Sequence, residues 1–301
     1  MSGSAASLRR KIAGAGDLGS VVRTMKAMAA SNIEQYENAV RALDDYYQTV
    51  QLGLAANFRQ GAPAAAATSV SQSDSGAIGA VVFGSDQGLV GQFNDVMTEF
   101  VVQALKNLPG KKMVWAVGER IQSHFADTGL LAKESFVLPN SINAVTPLVG
   151  NILTEMEAQR KKGAITQVYL FHNRPKSGAV YTSVSQRLLP LDDLWQRDLA
   201  AIRWPTNNLP EVMNGGEQVL PALVREYLFV SLFRACAESL ASENASRLAA
   251  MQRAEKNIDE LLEDLNRTFH RLRQSGIDEE LFDVIAGFEA LGAPVPGRAP
   301  A

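Results

Sequence analysis

The chain of 301 residues is poor in the side chains from which most metal and redox sites are built. Cys236 is its only cysteine, which removes any internal disulfide framework and any thiolate metal cluster; the residue reads as a small buried hydrophobe rather than a reactive thiol. Its three histidines, His124, His172 and His270, lie far apart and match no metal-ligand spacing. No apolar run reaches 18 residues, and the opening MSGSAASLRRK lacks the greasy core of an export signal. A soluble chain is expected, one that reaches a membrane only through a partner. Basic residues are not in excess, with 29 Lys and Arg against 32 Asp and Glu, so no general footprint for nucleic acid exists.

Proline is missing from Leu8 to Phe58, and from Glu211 to Ala290 it occurs only as Pro221. What fills these stretches is heptad-spaced. Tyr36, Val40, Leu43, Tyr47, Val50 and Leu54 step by 4, 3, 4, 3, 4, and Asn32, Ala29, Met25 and Val22 carry the phase back in smaller side chains. Ile258, Leu262, Leu265, Phe269 and Leu272 repeat the pattern near the other end. Residues 217 to 275 as one helix would span roughly 85–90 Å at 1.5 Å per residue, too long for the core of a domain of this size. Neither long helix would survive alone, and pairing them antiparallel buries both seams.

Between them the composition changes. FRQGAPAAAATSVSQSDSG reads as a linker, and short apolar strands then alternate with helical patterns. AIGAVVF, KKMVWAV, ITQVYLF and AVYTSVSQRLL are the expected strands. Strand–helix alternation implies a parallel or mixed sheet. The expected fold is therefore α/β, a long antiparallel coiled coil of the terminal helices with an inserted Rossmann-like domain. Its parts are a helix over 1–58, a linker over 59–76, the α/β domain over 77–204, a second helix over 211–290, and a tail over 292–301.

Chemistry is scarce. GSDQGLVGQFN joins the first strand to a helix, where dinucleotide sites put their glycines, yet Gly84, Gly88 and Gly91 lack the G-x-G-x-x-G spacing. No Lys-Ser/Thr follows to cradle a phosphate. A tight turn is favoured, with Ser85 and Asp86 bonding nearby backbone amides and Gly88 at positive φ. Asp192 and Asp193 have no matching acid, base or metal partner, and Glu260, Glu263 and Asp264 read as a solvated helix face. No catalytic residue, no metal site and no cofactor is expected. The stretch SENASRLAAMQRAEKN forms helix readily but is thinly greased; Ala241, Ala245, Ala249, Ala250 and Met251 give a slim stem suited to close approach or to turning within a sleeve.

Three of these stretches resemble the gamma subunit of F-type ATP synthases. ASENASRLAAM, residues 241 to 251, is similar to that family's Ala-Ser-Glu-x-Ala-x-Arg-Met-x-Ala-Met signature, and Asn257, Leu261, Arg273, Gln274, Ile277, Glu280 and Leu281 keep its later spacing. Residues 85–94 resemble its Ser-Asp-Arg-Gly-Leu-Cys-Gly-x-Phe-Asn turn, and the segment through Met25-Lys26-Ala27-Met28 resembles its opening helix. The resemblance implies a central rotor stalk that turns within a ring of alpha and beta subunits. Its α/β domain would rest on the epsilon subunit and the c ring, at the cytoplasmic face of a bacterial inner membrane. It further implies that Met25, Lys26, Arg273 and Gln274 meet the stator, and that Ser85, Asp86, Gly88 and Gly91 form a conformational turn. Glu34 replaces a basic run, and Gln87 and Val90 replace the turn's Arg and Cys. These departures point to a divergent branch, of the alternative sodium-translocating bacterial kind. A free-standing coiled-coil scaffold or tether is the competing reading; it accounts for the heptads but not for the slim stem.

Overall fold

The computed structural model describes residues 5–59, 77–130, 132–176, 179–191, 193–208, 210–211 and 219–292. The expected linker, apart from its first residue, and the tail from residue 293 lie outside these, as do Asp192 and Gln218. The elements, in chain order, are α1 (Ala5–Arg59), β1 (Ala77–Phe83), α2 (Phe93–Lys106), β2 (Lys112–Val117), α3 (Glu119–Phe125), β3 (Ala132–Phe136), α4 (Val145–Lys161), β4 (Ile165–Lys176), β5 (Ala179–Leu189), α5 (Asp193–Ala200) and α6 (Val219–Gly292). Two compact units divide them, one of residues 1–26 with 251–301 and one of residues 27–250.

In the first unit the two terminal helices run antiparallel. The Arg9 guanidinium lies over the Phe269 ring at 5.3 Å, Gly19 faces Ile258, and Lys26 donates to Glu255 at 2.5 Å. Partners on α6 fall in number as those on α1 rise. Ile258, Leu262, Leu265, Phe269 and Leu272 are half-buried while Asp259, Glu260, Glu263 and Asp264 beside them are exposed, as a heptad seam requires. The exposed acids pair along the helix, Glu260 with Lys256 and Glu263 with Arg267.

In the second unit, taken by itself, the two terminal helices are antiparallel. Asn32 donates to Asn244 at 3.4 Å, and Tyr46 donates to Glu226 at 2.8 Å. Tyr36, Val50 and Leu54 are buried. Here the helices also cover a sheet of order β3-β2-β1-β4-β5, parallel except for β5. Side chains alternate across it with period two. Val81, Phe83, Trp115 and Val117 face α4 and the terminal helices; Ile78, Ala80, Val82, Val114 and Ala116 face α2 and α3. A parallel sheet covered on both faces reads as continuous apolar runs, and AIGAVVF and KMVWAV do so.

Two elements went unread in the sequence. AKESF forms the edge strand β3, whose pattern is mostly exposed and so carries no apolar signal. DLWQRDLA forms α5 rather than the expected loop. β4 also runs past the expected strand end through Pro175. Beyond Phe171 it pairs only with β5, so one edge is free and a proline costs no ladder bond there. Among the described residues no helix is long and apolar enough to cross a membrane.

Candidate functional site

The turn after β1 is tied into three strands. Ser85 donates its backbone N–H to Asn94 Oδ1 at 3.0 Å, and Asn94 Nδ2 donates back to Ser85 Oγ at 2.8 Å. Ser85 Oγ in turn donates to the Gln87 carbonyl. Asp86 spends its two oxygens on backbone amides well away in sequence, Glu119 at 2.8 Å and Leu138 at 2.9 Å. Those amides follow β2 and β3, so one carboxylate fastens the carboxyl ends of three neighbouring strands. A Cβ on Gly84 would stand 2.3 Å from Ile121 Cβ, and one on Gly118 would stand 2.7 Å from the Ser85 carbonyl oxygen.

Two expectations about this turn fail. Positive φ falls on Leu89 (64°) and Gly91 (59°), not on Gly88. A Cβ on Gly88 would meet nothing closer than Arg120 at 3.9 Å. The reversal is made one residue later than the glycine suggests. Leu89, 60% exposed, bears the left-handed conformation that non-glycine residues seldom take. The long-range anchors of Asp86 hold it there. Nor do Ser85 and Asp86 bond nearby backbone amides as expected: the Ser85 hydroxyl bonds the Gln87 carbonyl, and Asp86 bonds two distant amides.

In an open α/β sheet ligands sit outside the carboxyl ends of the strands where the order reverses, here between β1 and β4. Helix α6 occupies that place. Ser246 Oγ donates to the Val90 carbonyl at 2.6 Å, and Ser242 Oγ reaches the Asn173 carbonyl at 3.1 Å. Glu243 and Arg247 are paired at 2.6 Å with side chains only 7% and 12% exposed. Burial pushes the Glu243 carboxyl above its ordinary range; Arg247 opposes this and Asp86 adds to it. The stem thus has little grease because its buried face is polar and bonds to main-chain carbonyls.

One turn earlier on α6, Glu238 is buried at the centre of a charged cluster. Its Oε2 accepts from His172 Nε2 at 2.7 Å and Arg174 Nε at 2.8 Å, and its Oε1 from Arg234 Nε at 2.9 Å. Burial raises the Glu238 pKa, but these three bonds outweigh it and bring it down to about 2. Burial lowers the His172 pKa against the pull of Glu238, and its Nδ1 is buried without a hydrogen-bond partner. Arg234 also reaches Asp44 at 3.1 Å and lies over the Tyr47 ring. A cavity of about 190 Å³ opens beside the cluster, between Tyr47, Gln186 and Ser231.

The four residues expected at the stator contact all belong to the first unit. Met25 is half-buried and Lys26 is half-buried against Glu255, while Arg273 and Gln274 are exposed on α6. The Glu238 cluster escaped the sequence reading. Arg234 and Glu238, four apart on a helix, look like an ordinary surface pair, and nothing in the sequence brings β4 to them. Cys236 is fully buried, as expected, and burial raises its thiol pKa.

The family model described as ATP synthase matches residues 4–291. The ATP synthase gamma chain of Glaesserella parasuis is 26% identical over 290 residues, covering 94% of this chain and 98% of that relative. That of Sorangium cellulosum is 28% identical over 320 residues, with 95% and 98% covered. Among solved structures, a chain of the Euglena gracilis mitochondrial ATP synthase superposes with a TM-score of 0.67 at 17% identity, covering 99% of each chain. A chain of the central stalk and c-ring structure of the Tetrahymena thermophila mitochondrial ATP synthase gives 0.54 at 21%, covering 78% of this chain and 99% of that one. The structural likenesses speak for the fold.

Proposed function

We propose, from the premise that the chain belongs to the ATP synthase family, that it is the gamma subunit, the central rotor stalk of a membrane-bound F-type enzyme. It couples ion flow through the c ring to ATP synthesis or hydrolysis at the catalytic beta subunits by rotating. The observation that carries this is the pairing of α1 with α6, antiparallel in each unit and seamed by heptads, around an inserted α/β domain. Such a coil presents a different side to each of three surrounding subunits, and differential contact is what biases identical sites into different states.

On this reading the chain performs no chemistry of its own. Helices α1 and α6 form the shaft, and the α/β domain is the foot. The foot rests on the epsilon subunit and the c ring, and the shaft turns inside alpha and beta. Met25, Lys26, Arg273 and Gln274 are its contacts with the stator, and the turn of Ser85, Asp86, Gly88 and Gly91 is stiff enough to carry a contact of its own. Glu255 neutralises Lys26, so Met25 is the more exposed to a change of charge nearby. The protein sits peripherally on the cytoplasmic face of a bacterial inner membrane. Affinity purification through a tag on this chain tests the proposal. Alpha-, beta-, epsilon- and c-type subunits should copurify with ATPase activity, and a probe on this chain should rotate with ATP. Recovery of the chain alone from gently solubilised membranes and cytosol would overturn it.

A further inference from the structure

A stem of small residues has a mechanical weakness. Apolar contact is non-directional and scales with area, and Ala241, Ala245 and Ala249 offer only shallow knobs against sliding. Hydrogen bonds with charged partners are directional and break within a short displacement. A cluster of charged bonds stands where the stem begins. Glu238 of α6 accepts from His172 and Arg174 of β4, and Arg234 beside it reaches Asp44 of α1. Three elements of different origin, the sheet and both terminal helices, therefore meet on one carboxylate and one guanidinium. The two guanidiniums, Arg174 and Arg234, match the two carboxylates, Asp44 and Glu238, charge for charge. Glu238 itself is buried, so breaking one of its links leaves a buried charge less compensated, which resists displacement.

We infer that Glu238 is a positioning residue that locks α6 to the sheet, so that the foot and the shaft turn together instead of slipping. This rests on the rotor reading above. His172 and Arg174 are its anchors on the sheet, and Arg234 with Asp44 extends the lock to α1. Ser242 and Ser246 add two further polar links along the same face.

The test uses the assembled complex with its alpha and beta ring held to a surface. Because Cys236 is fully buried, a cysteine placed at exposed Glu134 on β3 takes a label uniquely and reports the angle of the sheet. Glu238→Gln and Arg174→Ala are compared with the unaltered chain. Arg174 has a side chain 47% exposed, so its truncation tests the link even if Glu238→Gln does not assemble. The expected result is a broader angular distribution of the label during pauses and a loss of ions moved per ATP under load, with unloaded hydrolysis retained. Arg174→Lys should recover part of the loss, and the two substitutions combined should cost less than the sum of each. An unchanged angular distribution in Arg174→Ala, with the unaltered chain rotating, overturns the lock alone. If the unaltered chain does not rotate in the complex, the rotor reading falls with it.

Discussion

Glu238 illustrates what a single residue hides. In the sequence it is one acid among many on a long helix, and its partner four residues before it is the commonest of helix pairs. It meets β4 through His172, 66 positions away in the chain, and no local pattern encodes that meeting. The consequence is a definite pH dependence. The Glu238 pKa falls from an ordinary 4.5 to about 2 on folding, so the ionised form stabilises the native state fully above pH 4.5. That contribution fades as pH drops towards 2. His172, whose pKa also falls on folding, adds stability above its ordinary 6.5 that is lost on acidification, the same sign. Urea unfolding of the full chain between pH 7 and pH 3 should therefore show falling stability, with Glu238 supplying on the order of 2 kcal/mol of the loss. In Glu238→Gln that component should vanish, leaving a flatter profile from a lower starting point. A variant profile as steep as that of the unaltered chain would show that Glu238 titrates normally.

Elements were far more legible than residues. The heptads gave both terminal helices, since a seam of Tyr36, Leu54, Ile258 and Leu272 repeats too regularly to serve anything but a partner helix. The apolar runs gave four strands, because strands buried on both faces cannot hide their composition. β3 and α5 were missed because an edge strand with Lys133 and Glu134 in it looks like loop, and an eight-residue helix flanked by Asp192 and Pro190 has too few turns to declare a period. Gly88 misled because a glycine was available where the chain did not need one. The crevice between β1 and β4 lay wholly beyond the sequence, since serines of α6 fill it from another part of the chain. With Ser242 and Ser246 of that helix bonded to the Asn173 and Val90 carbonyls, ATP, ADP and NAD are not expected to bind where a sheet of this topology would hold them. Isothermal titration of the full chain should show no saturable heat at millimolar nucleotide. A stoichiometric micromolar site, abolished by Gly88→Val, would overturn this. That variant should fold, because a Cβ there meets only the flexible Arg120 side chain at 3.9 Å, an ordinary contact.

For the whole molecule the question is where its surface does work on a neighbour. Arg273 and Gln274 are exposed on α6, one turn beyond the half-buried Phe269 that receives Arg9. The helix there is held by α1 on one side and offers these two side chains on another. A guanidinium and an amide so placed can grip a loop carbonyl or carboxylate of a surrounding subunit, and a charge-assisted bond of this type contributes about 1.5–3 kcal/mol. If the rotor must form and release that bond once in each catalytic step, its loss is felt in turnover and not in folding, since neither side chain is buried. Arg273→Ala should leave the complex intact on gel filtration and lower ATP-driven turnover by roughly tenfold or more, at about 1.4 kcal/mol for each factor of ten. Arg273→Lys, which keeps the charge but not the planar fork, should fall between. Should Arg273→Ala hydrolyse ATP at the unaltered rate in a fully assembled complex, Arg273 is a solvated side chain and the grip belongs to another part of the shaft.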